Sequence, residues 1–123
     1  MIKLSDAEWR IIVRLWEESP KTITELTAEL KEETGWTKHT VISLLNRMED
    51  KQAVSYQEGK KAKLYYPKIQ EEEAQLQEAE SFLQRVFRGN IGLMMNTMVD
   101  KKALSKQDIE ELYEILRKAE EEK

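Results

Sequence analysis

Apolar residues recur at helical spacing in three stretches of the first half of the chain. Trp9, Ile12, Val13 and Trp16 stand at i, i+3, i+4 and i+7. Ile23, Leu26 and Leu30 follow, and Val41, Leu44, Leu45 and Met48 form a third set. Each set predicts an amphipathic helix with that stripe turned to a core. Between Val54 and Tyr66 the period changes to two. Val54-Ser55-Tyr56-Gln57-Glu58 and Lys63-Leu64-Tyr65-Tyr66 alternate as half-buried strands do, joined by the basic turn Glu58-Gly59-Lys60-Lys61. A boundary falls near Pro67–Gln70, after which helical spacing returns. Leu76, Ala79, Leu83, Val86 and Phe87 make one stripe, broken at Gly89-Asn90. Ile91, Met94, Met95, Met98 and Val99 make a second, and Ile109, Leu112 and Leu116 a third. The tail Glu120–Lys123 is expected to fray.

Capping residues place the helix starts. Ser5-Asp6-Ala7-Glu8 and Thr22-Ile23-Thr24-Glu25 are capping boxes, Thr37 caps the third helix, and Ser105-Lys106-Gln107-Asp108 opens the last. Leu4 with Trp9, Trp36 with Val41, and Leu104 with Ile109 sit at the spacing of hydrophobic staples. Each cap contributes about 1 kcal/mol, enough to decide where a short helix begins. Ser19-Pro20 ends the first helix, because the residue before proline avoids helical geometry. Gly35-Trp36 leaves a turn short enough for a helix-turn-helix.

Helix, short turn, helix and basic hairpin together predict a winged helix-turn-helix. The fold class is mainly α with a small β-hairpin: a winged-helix domain over residues 1–69, then a helical dimerisation arm over residues 70–123. A length of 123 residues, 40% hydrophobic and 36% charged, suits one small globular domain with an appendage. The absence of cysteine removes disulfides and thiolate metal sites, and the single histidine, His39, cannot build a multi-histidine centre. No phosphate-cradling glycine motif occurs. No cofactor, metal or catalytic site is expected, and an enzyme is disfavoured. Met1–Ile12 has no signal-peptide pattern and no run of 18 apolar residues exists, so a cytoplasmic location without membrane insertion is expected.

The net charge of −4 argues against nucleic acid until it is divided along the chain. Residues 1–36 carry −3 and residues 70–123 carry −5, whereas residues 37–69 carry +4. The positive residues of that middle segment are Lys38, Arg47, Lys51, Lys60, Lys61, Lys63 and Lys68. Screening acts over roughly 8 Å at physiological salt, so local charge governs what a phosphate meets at contact.

On a helical wheel, His39, Ser43, Asn46 and Asp50 lie opposite the apolar stripe of the third helix, flanked by Thr40, Ile42 and Arg47. Ser43 and Asn46 can bond base edges, and Ile42 can touch a thymine methyl. Lys38, Thr40 and Arg47 suit phosphates, and the helix N-terminus favours one. Asp50 would repel phosphate, so contact is expected to end before it. An exposed polar helix face alone is commonly just solvated, and lysines commonly guard hairpin edges. Here the basic hairpin follows the helix at once, so Lys60 and Lys61 are expected to grip the DNA backbone. The rival is a winged-helix protein-interaction module that binds no specific DNA sequence.

The arm leaves Leu76, Phe82, Leu83, Phe87, Met94, Met95, Met98, Leu112 and Leu116 in water unless something covers them. They could fold back on the winged helix. Pairing with the same segment of a second chain is the favoured reading, and it would bring two readers to a twofold site.

At this point the chain resembles the penicillinase-repressor family of winged-helix repressors. The matching stretches are LSDAEWRIIVRLW, WTKHTVISLLNRM, GKKAKLYYP, FLQRVFRGNIGLMMN and LSKQDIEELYEIL, in order and over nearly the whole chain. The resemblance implies a homodimeric repressor on palindromic double-stranded operator DNA, with intertwined C-terminal helices. Thr40 and Arg47 stand where the family has Thr and Arg in its recognition helix. Ile42 stands where the family usually has a basic residue. Members that govern β-lactam resistance are inactivated by cleavage in the arm at an Asn-Phe bond, through a membrane sensor protease or its downstream signal. In ungapped register that bond falls at Thr97–Met98, with Asn96 one residue early, so Asn96, Thr97 and Met98 form the candidate cleavage site without an Asn-Phe pair. Copper-responsive relatives carry a C-terminal cysteine cluster, which this chain lacks.

Overall fold

The structure, a computed structural model, describes residues 2–122; Met1 and Lys123 lie outside the described residues, and so does the last residue of the tail expected to fray. Three helices, α1 (Asp6–Glu17), α2 (Ile23–Thr34) and α3 (Lys38–Asp50), precede the hairpin strands β1 (Val54–Glu58) and β2 (Lys63–Pro67). Helices α4 (Glu71–Phe87), α5 (Ile91–Asp100) and α6 (Lys106–Glu121) complete the chain. The chain is mainly helical with a winged helix-turn-helix at its start, as expected. α6 continues through Glu121, so the turn at Glu120 is helical rather than frayed.

The expected caps form. The Ser5 hydroxyl accepts from the Glu8 amide at 3.2 Å while the Glu8 carboxylate accepts from the Ser5 amide at 2.8 Å. Thr22 and Glu25 repeat this exchange at 3.1 and 2.9 Å, and Ser105 and Asp108 do so at 3.0 Å each way. The Thr37 hydroxyl accepts from the Thr40 amide at 3.3 Å. Each satisfies donors that the first turn of a helix cannot satisfy internally.

The chain divides into two compact units between Glu78 and Ala79, within α4. The core of the first is Leu4, Ile11, Ile12, Leu15, Leu26, Leu30, Val41, Leu44, Leu45, Met48, Ala53, Val54 and Tyr65. The expected stripes on α2 and α3 face it. The α1 stripe is displaced from its expected position. Ile11, Ile12 and Leu15 are buried, Trp9 and Trp16 pack at its margin, and Val13 is 41% exposed. Glu8 supplies the reason: it is fully buried on the same face, held there by the Ser5 cap and Lys51. A spacing rule that counts only apolar residues turns the helix the wrong way when one inward position is a paired carboxylate.

β1 and β2 are antiparallel, paired from Val54 with Pro67 to Glu58 with Lys63. The Gly59 amide donates to the Ala62 carbonyl at 2.9 Å, so the tip spans Gly59 to Ala62. A Cβ on Gly59 would lie 2.5 Å from that carbonyl oxygen, which explains the glycine. Lys21 adds a bridge on the other side of β2, exchanging both backbone hydrogen bonds with Tyr65 at 3.1 and 2.9 Å.

The second unit, from Ala79 onward, is helical. Gly89 at φ +81° breaks the chain after α4, and Asn90 caps α5 by accepting from the Leu93 amide at 2.9 Å. Neither α5 nor α6 buries a residue.

Candidate nucleic-acid interface

The geometry of α3 is set at both ends. Gly35 closes α2 in the left-handed region at φ 68°, and its amide donates to the Lys31 carbonyl at 2.8 Å. Trp36 packs on the core, and only three residues, Gly35, Trp36 and Thr37, separate the helices. At the far end, Gln52 adopts φ 68° and the Ala53 amide reaches back to the Met48 carbonyl at 2.8 Å. That closure is the usual way a chain leaves a helix while satisfying its last carbonyls.

With Val41, Leu44, Leu45 and Met48 buried, the opposite face is presented outward. Lys38, His39, Ser43, Asn46, Arg47 and Asp50 are exposed; Thr40 and Ile42 are half-buried. The Thr40 hydroxyl lies 3.3 Å from that of Thr37. Small polar groups near the start of a helix, with an aliphatic beside them, leave room for base edges. Lys60 and Lys61 are exposed at the hairpin tip.

The structure reduces the +4 segment to fewer available cations. Lys51 is committed to Glu8 at 2.6 Å, Lys68 to the Gln52 side chain, and Lys63 stands 4.1 Å from the centroid of the Tyr56 ring. Lys38, Arg47, Lys60 and Lys61 remain exposed and pair with no carboxylate among the described residues. These four, with the α3 N-terminus, supply the positive field.

Sequence reasoning missed four supports of this surface. Desolvation works against the charge of Lys63, but Tyr56, Tyr65 and Glu58 outweigh it and hold its pKa above the ordinary lysine value. Tyr56 and Tyr65 stack at 5.7 Å across the two strands, and burial pushes the Tyr65 phenol up. Lys21 is only 5% exposed, and its ammonium donates to Glu29 at 2.8 Å. Burial alone would raise the Glu8 pKa, but Lys51 and the Ser5 donors hold it below the usual carboxylate value. A lysine following Pro20 and a glutamate in a capping box carry no periodic signal of burial. The partners that draw them inward are distant in sequence.

Of the arm residues, Leu76 belongs to the first unit and is 61% exposed. In the second unit Phe82 and Leu116 are exposed, while Leu83, Phe87, Met94, Met95, Met98 and Leu112 are half-buried. Phe82 and Phe87 meet edge to face at 6.0 Å. Asn96 and Thr97 are exposed and Met98 half-buried, all within α5, where the Thr97 hydroxyl donates to the Leu93 carbonyl at 2.9 Å. Cleavage at this site requires local unwinding, since the backbone there is hydrogen-bonded in the helix.

Comparison with known proteins places these features among relatives. The family model described as Penicillinase repressor matches residues 4–118. A Penicillinase repressor of Bacillus licheniformis is 29% identical over 114 residues, spanning 93% of this chain and 89% of that one. The Methicillin resistance regulatory protein MecI of Staphylococcus aureus strain N315 is 25% identical over 116 residues, 94% of each chain. The solution structure of the Bacillus licheniformis BlaI monomeric form, in complex with the blaP half-operator, superposes with a TM-score of 0.50 at 28% identity. It covers 56% of this chain and 84% of that one.

Proposed function

The chain belongs to the penicillinase repressor family, and we propose that it is a transcriptional repressor that reads double-stranded operator DNA through α3 and the wing. The observation that carries this reading is the outward face of α3 and the hairpin tip, where Lys38, Arg47, Lys60 and Lys61 are exposed without a carboxylate partner among the described residues. The solved half-operator complex of the Bacillus licheniformis relative supports the same use of the domain. Ser43 and Asn46 read base edges, Ile42 contacts a thymine methyl, and Lys38, His39, Thr40, Arg47, Lys60 and Lys61 hold the backbone.

The arm, residues 70–123, joins two copies so that their readers meet the halves of a palindrome. Support comes from α5 and α6, where Ile91, Ile115, Leu116 and Tyr113 are all more than half exposed. Surface of that kind in water favours association. The repressor acts in the cytoplasm by occupying its operator, without catalysis. No helix among the described residues is long and apolar enough to cross a membrane. Induction separates the dimer or cuts the arm near Asn96–Met98, on a signal that begins at a membrane sensor protease.

Selection of bound duplexes from a random pool tests the reading. A convergent palindromic sequence, matched upstream of the gene itself, is expected. Failure to enrich any sequence would leave the rival protein-interaction module standing.

A further inference from the structure

Glu8 is the one fully buried carboxylate among the described residues. It lies on α1, outside the reading face, yet it is tied to the end of the reading helix. Its Oε1 accepts from the Ser5 amide at 2.8 Å and from the Lys51 ammonium at 2.6 Å. Lys51 also donates to the Lys3 carbonyl at 2.8 Å. Through its backbone, Lys51 is the C-cap of α3, its amide donating to the Arg47 carbonyl at 3.1 Å. One side chain thus connects the first turn of α1 with the turn of α3 that carries Arg47.

The tie is a poor device for stability alone. Glu8 Oε2 is buried without a hydrogen-bond partner, a cost that an apolar pair at the same place would avoid. What an ion pair adds over apolar packing is direction. Apolar side chains tolerate rotation of one helix on another, whereas a buried carboxylate oxygen held by a backbone amide and shared with the Lys51 ammonium resists it. The side chain of Gln52, the next residue, accepts from the Lys68 ammonium. The C-cap of α3 and the residue after it are therefore each held by a lysine contact, and α3's rotation decides where Asn46 and Arg47 point.

We propose that Glu8 and Lys51 are positioning residues for base reading: they fix the rotation of α3 on α1 without touching DNA. This inference rests on the operator-reading role given above.

The test compares wild type with Glu8→Gln, Lys51→Met and Lys51→Arg in the full chain. Probes are the duplex that wild type selects from a random pool and a scrambled duplex of equal length and composition. In Glu8→Gln and Lys51→Met, preference for the selected duplex should fall roughly tenfold, the scale of one mismatched base pair. The slope of log affinity against log salt should stay at the wild-type value, and Lys51→Arg should restore preference. Hydrogen exchange of the free protein gives a second readout, with the amides of Arg47 to Lys51 expected to lose protection before those of α2. Unchanged preference in folded variants overturns the inference. So does a salt slope reduced by about one, which would make Lys51 a phosphate contact. If a variant fails to fold, the exchange measurement on Lys51→Arg against wild type decides, with unequal protection of α3 counting against the tie. Wild type that selects no duplex defeats the operator-reading role itself, and altered exchange would then still report the tie.

Discussion

Lys21 and Tyr65 exchange both backbone hydrogen bonds, at 3.1 and 2.9 Å, so β2 is paired on both sides: by β1 over its length and by Lys21 at one point. The wing is thereby attached to the link between α1 and α2. Below the bridge, the Lys21 ammonium is held by Glu29 at 2.8 Å and Glu18 at 3.7 Å. Lys21→Met keeps the buried stem and should cost less than about 1 kcal/mol, because Glu29 can turn to water. Lys21→Ala also loses the stem packing and should cost about 2 kcal/mol. Urea unfolding of both variants separates the two contributions.

The same residue predicts an alkaline limit. The hydrogen bond to Glu29 raises the Lys21 pKa, burial opposes it, and the neighbouring glutamates reinforce it, leaving it above 10.5. A raised folded pKa gives stability that is complete below the unfolded value and is lost as pH rises through the folded value. Melting temperature should therefore fall above about pH 10.5 in wild type, and this part of the fall should be absent in Lys21→Met.

Glu8 predicts the opposite limb. Its folded pKa is held below 4.5, so its contribution is present above that value and disappears as pH falls through the folded pKa. Acid titration of wild type and Glu8→Gln checks it. The variant should be less stable at neutral pH and lose less on acidification.

Gly59 predicts a wing-specific loss. A Cβ there meets the Ala62 carbonyl oxygen at 2.5 Å, so Gly59→Ala must open the tip. Stability should drop by about 1–2 kcal/mol. Duplex affinity should fall for all sequences alike, because Lys60 and Lys61 are displaced together.

Side chains on α3 and the wing should divide by role. Arg47→Ala and Lys60→Ala should weaken binding to every duplex, each lowering the salt slope by roughly 0.9. Asn46→Ala should change the preferred sequence at one position by about 1–3 kcal/mol. Equal loss across all operator variants would remove Asn46 from the readers.

For the arm, Leu116→Glu places a charge on a side chain that is 64% exposed in the single chain. Burial of a leucine is worth about 1.5–3 kcal/mol, so the dimer dissociation constant should rise at least roughly tenfold. Sedimentation over a concentration range measures it. A monomer mass independent of concentration in wild type would contradict the dimer.

Local chemistry was legible in the sequence. Ser5, Thr22, Thr37 and Ser105 cap the helices they announce, and β1 spans the residues whose alternation marks it. The inward set of α3 is the set its spacing picks out. What escaped was everything decided by a distant partner. Glu8 turns α1 because Lys51 lies 43 residues away, leaving Val13 outside. Lys21 pairs with β2, a strand separated from it by α2, α3 and β1. The seven cations of residues 37–69 read alike in sequence, yet Lys51, Lys63 and Lys68 have internal partners.

The central claim is that α3 and the wing bind operator DNA. Its most direct test is the affinity of the full chain for the selected duplex as salt is varied. Log affinity should fall linearly with log salt at a slope of about −0.9 for each phosphate held. No measurable binding to any duplex at low salt would contradict it.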